Sequence, residues 1–81
     1  MRLDKYLKVS RIIKRRTIAK EAAVKEKVLI NDKLAKPSSE VKIGDLLTLH
    51  LGLKIITVKV IALEPKKNEF MYELIKEEKR P

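Results

Sequence analysis

At eighty-one residues the chain is about half a typical domain, enough for one compact unit with little room for an elaborate catalytic site. Hydrophobic residues at 44% and charged residues at 38% predict a folded, soluble domain; with no cysteine and one histidine, His50, there is no disulfide framework, thiolate metal site or imidazole cluster. The net charge of +9 predicts a polyanionic partner and is unevenly placed, since residues 1–20 hold eight Lys and Arg against one acid, Asp4, and the other sixty-one hold twelve against ten.

In chain order, Leu3, Tyr6, Leu7 and Ser10 recur at three- and four-residue spacing, which predicts a short helix with Asp4, Lys8 and Arg11 on another face. Asp4 reads as a helix-start acid, four residues before Lys8 in the favourable order. After the basic run Lys14-Arg15-Arg16, a second helix is predicted from a buried stripe of Ile18, Ala19, Ala22 and Ala23, with Arg16 and Lys20 projecting beside it.

From Val28 onward the pattern becomes sheet, with alternating aliphatic and polar residues broken by turns. Val28-Leu29-Ile30 forms a strand that ends at Asn31-Asp32, a pair that tolerates positive φ and turns the chain tightly into Lys33-Leu34-Ala35. Lys36-Pro37-Ser38-Ser39 is a loop, Gly44-Asp45 a turn, and Leu47–Leu51 with Ile55–Ile61 a hairpin reversed at Gly52, its leucines on one face. Phe70–Ile75 is read as a last strand in preference to a helix, and residues 76–81 as a frayed polar tail. The expected fold class is α+β, two short N-terminal helices packed on a small, mostly antiparallel sheet.

The longest apolar run, Val60–Leu63, is four residues, far from the ~20 that cross a bilayer, so a cytoplasmic location with no membrane partner is expected. Four of the five arginines lie in residues 1–20, and the planar guanidinium fork suits phosphate oxygens and guanine edges. Aromatics are 4% of the chain, which argues against a base-stacking platform and for structured RNA read by shape and backbone. Tyr6 is read as a packing residue and His50 as the solvent side of a strand, with no nucleophile or second base to make a catalytic set.

The blocks Arg2-Leu3-Asp4-Lys5-x-Leu7-x-x-x-Arg11, Arg15-Arg16-Thr17-x-Ala19, Val28-x-Ile30-Asn31, Lys36-Pro37-Ser38, Val41 and Gly44-Asp45 occur in the order of a known pattern. The chain thereby resembles the RNA-binding domain family named after small-subunit ribosomal protein S-four, over about residues 2–60 of a single domain, 1–81. Its short length, its opening at Met1 and the segment 8–17 are similar to the small stand-alone ribosome-associated quality-control members of that family, a group related to heat-shock protein fifteen. The resemblance implies RNA held along the helical face and adjoining loop. It further implies a non-enzymatic factor, likened to those that bind rRNA and tRNA on stalled large ribosomal subunits carrying peptidyl-tRNA. Quality-control factor H, which tails the nascent chain with alanine, is the implied protein partner, and a monomer without cofactor or metal is expected.

By resemblance, the RNA-binding set is Arg2, Lys5, Lys8, Arg11, Arg15 and Arg16, with Arg16 foremost, and Lys20, Lys36 and Ser38 as further candidates. Asp4 is a candidate to orient Arg2 or Lys8 or to contact a ribose hydroxyl, beside its reading as a helix-start acid; Lys36-Pro37-Ser38 reads equally as an ordinary surface turn. Where the family usually has glycine, this chain has Glu26 and Asp32. Glu26 either carries left-handed strain or ends its helix differently, while aspartate tolerates the left-handed region. Other readings are a general structured-RNA module, an RNA-targeting appendage of an RNA-modifying enzyme, and a module docking an acidic protein. The opening at Met1 and the polar tail weigh against a missing catalytic domain.

Overall fold

A computed structural model of the chain describes residues 1–65, 67 and 69–79. Helix α1 spans Leu3–Val9 and α2 Arg16–Val24, followed by strands β1 (Val28–Ile30), β2 (Lys33–Leu34), β3 (Leu46–Leu51), β4 (Lys54–Val60) and β5 (Tyr72–Lys79). The strands form one sheet in the order β2-β1-β3-β4-β5, each neighbouring pair antiparallel.

Period decides the packing. On α1, Leu3, Tyr6 and Leu7 are fully buried at helical spacing; on β3 and β4, Leu47, Leu49, Val58 and Val60 are buried at strand spacing. These faces share one core with Val28 and Val41, where each fully buried aliphatic side chain contributes roughly 1.5–3 kcal/mol. The Tyr6 hydroxyl donates 2.8 Å to the Met71 carbonyl, fastening α1 to the segment that enters β5, and burial pushes its pKa up to about 12. Ala19 and Ala23 carry the buried stripe of α2, whereas Ile18 is 49% exposed; at four-residue spacing the alanines fill the contact and Ile18 falls to the side.

Two turns follow the sequence reading. Asn31 and Asp32 both have positive φ, 50° and 67°, and Ile30 pairs with Lys33, so a two-residue loop closes the β1–β2 hairpin. The Asn31 side chain donates 3.1 Å to Asp45 Oδ1 and accepts 2.9 Å from the Leu46 N–H, tying that loop to the start of β3. Glu26 stands at φ 61°, and its N–H and that of Lys27 reach back to the Ala23 and Ala22 carbonyls at 3.1 and 2.9 Å. This is a Schellman ending of α2 with glutamate in the place that glycine fills at least cost.

One expectation is overturned. Residues 76–79 are not a frayed tail, because β5 continues to Lys79 against β4, with Thr57 opposite Lys76 and Lys54 opposite Lys79. The polar composition that suggested fraying belongs to an edge strand whose charges pair, Lys54 with Glu77 at 3.7 Å and Lys76 with Glu78 at 2.6 Å. A register shift between Thr57 and Val58 leaves Ile75 without an opposite residue, a bulge that lets the strand change from apolar to charged. Residues 80 and 81 of the expected tail lie outside the described residues.

Candidate nucleic-acid interface

The start of α1 is built by a distant loop. The Arg2 side chain, at the N-cap, makes no capping bond; instead the Leu3 and Asp4 N–H groups donate 2.8 and 3.1 Å to the Ser39 and Pro37 carbonyls. The loop is itself shaped by the Lys36 N–H donating 2.8 Å to Ser39 Oγ. Thus Lys36-Pro37-Ser38 is more than a surface turn: its backbone holds the helix end that carries Arg2 and Asp4. Sequence reasoning singled out Ser38, whereas the side chain that shapes the loop is that of Ser39.

Asp4 is 2% exposed and gathers donors from three residues. Its Oδ1 accepts from the Lys5 N–H at 2.8 Å, Arg2 Nε at 3.2 Å and Arg16 Nη2 at 3.5 Å, and its Oδ2 accepts from Arg2 Nη2 at 3.3 Å. Burial raises the carboxyl pKa, but the Lys5 N–H, the Arg16 hydrogen bond and the Arg16 and Arg2 charges outweigh it, leaving it below the ordinary 3.8. The carboxylate therefore stays charged and holds two guanidiniums side by side, one from the residue before α1 and one from the first residue of α2. Their side chains remain 53% and 48% exposed, so each fork keeps donors for an outside acceptor. Asp4 stands in the first turn of α1, and its hydrogen-bond partners are Arg2, Lys5 and Arg16.

Beside this pair runs an open cleft between α2 and the loop, where Arg2, Lys20, Lys36 and Ser38 surround a floor that includes Ala23 and Ala35. Among the described residues that line it, Glu26 is the one acid. The fold so brings four of the nine candidates around one cleft, while Arg16 is joined to one of them, Arg2, through Asp4. Lys5 and Lys8 are exposed on α1, Arg15 is exposed at the residue before α2, and Arg11 lies past the far end of α1 at φ 66°. Arg11 shares a separate cleft with Phe70 and Tyr72.

Among the described residues the only acid paired with these cations is Asp4, so the helical layer keeps most of its positive charge unneutralised. His50 is half-buried on β3, and no group of three His, Asp or Glu residues is placed to hold a metal among the described residues. No helix among them is long and apolar enough to cross a membrane.

The S4 domain profile matches residues 1–47. A Bacillus subtilis protein named RQC P-site tRNA stabilizing factor is 55% identical over 83 aligned positions, covering 98% of this chain and 96% of the relative. The Listeria monocytogenes protein of the same name is 54% identical, covering 98% and 90%. More distantly, a heat shock protein 15 homolog of Haemophilus influenzae is 39% identical across 83% of this chain and 51% of the relative. In three dimensions the chain is similar to the trimeric structure of Vibrio cholerae heat shock protein 15, with a TM-score of 0.76 and 30% identity over 93% of this chain and 81% of the other.

Proposed function

The chain belongs to the S4 domain family, and on that premise we propose that it is a non-enzymatic RNA-binding factor of ribosome-associated quality control. In this reading it binds rRNA and tRNA together on large ribosomal subunits that retain peptidyl-tRNA after stalling, in the cytoplasm. It steadies the tRNA while quality-control factor H extends the nascent chain with alanine. Relatives that are more than half identical and named for P-site tRNA stabilisation support the choice of target.

The observation that carries the proposal is the Asp4-held pair of Arg2 and Arg16, of which Arg2 also lines a cationic cleft. Two guanidiniums fixed at one carboxylate present a preorganised set of donors to phosphate oxygens, with less side-chain entropy to lose on binding than two free arginines. Lys5, Lys8, Arg11 and Arg15 extend the contact along the helical layer, and Lys20, Lys36 and Ser38 line the cleft wall. Each lysine or arginine that meets a phosphate releases a counterion, so binding should weaken steeply with salt. The protein works as one copy in this scheme, since the exposed edge β5 carries Glu73, Lys76, Glu77, Glu78 and Lys79, charges that oppose strand addition.

The test is sucrose-gradient sedimentation of the tagged protein at moderate salt, with and without induced stalling, probing large-subunit fractions for tRNA. Stall-dependent enrichment with tRNA supports the proposal. Sedimentation only at the top of the gradient overturns it in favour of a general structured-RNA or protein-binding module.

A further inference from the structure

Away from the Asp4 cluster, the far end of α1 faces an open cleft of about 620 Å³ lined by Arg11, Lys67, Glu69, Phe70, Met71 and Tyr72, among others. Phe70 is 75% exposed, and its ring meets Tyr72 edge-on, with centroids 5.9 Å apart at 68°. A T-shaped contact uses one aromatic edge and leaves a phenyl face open. Burying that ring against the core would gain free energy, yet the chain leaves it in solvent. Arg11, on the same cleft, occupies the left-handed region at φ 66°, a conformation costing roughly 1–2 kcal/mol for a side-chain-bearing residue and found mostly at glycine and asparagine. An open aromatic face and a guanidinium on a strained turn thus share one concave surface, continuous through α1 with the cationic layer.

We propose that this cleft takes one unstacked nucleobase of the bound RNA, its ring stacked on Phe70 and its flanking phosphate met by Arg11. The inference rests on the RNA-binding reading above and adds a base-binding element that the low aromatic content argued against. A nucleotide fits better than an apolar peptide, because among the described residues two cations, Arg11 and Lys67, line the cleft against one acid, Glu69.

The experiment compares the full chain's affinity for a short, fully paired RNA hairpin and for the same hairpin carrying one extruded, fluorescent aminopurine. The wild-type protein should bind the second about ten-fold more tightly and quench its fluorescence, as expected for one base–aromatic stack. Phe70→Ala and Phe70→Leu should erase that difference while leaving affinity for the paired hairpin and the circular dichroism unchanged, and Phe70→Trp should keep it. Equal affinity of the wild type for both hairpins, or a preference that survives in Phe70→Ala, overturns the base site and leaves the cleft to a protein segment. Failure to bind even the paired hairpin overturns the RNA-binding reading and this inference with it.

Discussion

The helical layer and the β4–β5 edge are both rich in charge and handle it in opposite ways. On β4 and β5, lysine and glutamate sit within reach of one another, as in Lys54–Glu77 and Lys76–Glu78, and cancel locally. On α1 and α2, Arg2 and Arg16 share one buried carboxylate, and Lys5, Lys8, Arg15 and Lys20 stand exposed around them. Paired charges on a sheet edge oppose the addition of another strand, whereas charges left without acids suit the polyanionic partner proposed above. Charge count therefore says less about binding than where the acids are.

Four substitutions probe that contrast. Arg16→Ala removes one of the two clamped forks and should weaken large-subunit or hairpin binding roughly ten- to a hundred-fold, with unchanged circular dichroism, as a direct guanidinium contact is worth about 1–3 kcal/mol. Unchanged affinity would take Arg16 out of the interface.

Asp4→Asn makes the protein more positive, so a simple charge argument expects tighter binding. If the carboxylate's task is to hold Arg2 and Arg16, affinity should instead fall, by about ten-fold, since loosened side chains must be ordered on binding. The same variant has an acid signature. The folded carboxyl has a lowered pKa, so its stabilising contribution is complete above the ordinary value of 3.8 and is lost as pH falls through the folded one. Denaturant melts of wild type and Asp4→Asn across that acid range should therefore converge as pH falls.

Glu26→Gly should act on both stability and binding. It relieves a left-handed φ of 61° and removes a carboxylate from the cleft, so a gain of about 1 kcal/mol in urea melts and a modest rise in RNA affinity are expected. The smallest effect belongs to the other region: Glu77→Gln on β5 should leave RNA binding unchanged and alter stability by less than about 0.5 kcal/mol, as exposed ion pairs generally do.

What could be read from the sequence was local. Leu3, Tyr6 and Leu7 announce a helix by spacing, Asn31-Asp32 announces a hairpin by tolerance of positive φ, and the leucines of β3 announce a buried face by alternation. The misreadings have physical causes. Lys76 to Lys79 read as a tail because edge strands need few apolar residues once a neighbour supplies hydrogen bonds and opposite charges. Ile18 read as core because periodicity cannot tell which arc of a helix two alanines will occupy. The Asp4–Arg16 contact joins residues twelve apart across a turn, which no spacing rule encodes, and the bare ring of Phe70 depends on what the fold leaves unfilled. At Glu26 the left-handed φ was one of two outcomes foreseen from the missing glycine, and the structure selects it.

The hydrogen bond from Tyr6 to the Met71 carbonyl spans sixty-five positions, nearly the whole chain, whereas the family profile ends at residue 47. A graft that moved only residues 1–47 onto another scaffold would carry the signature but leave a buried phenol without its acceptor and the back of α1 uncovered. The transplantable unit is set by this one bond: it must run at least to Met71, and with β5 to Lys79, so the portable module is more than half as long again as the motif by which it is recognised.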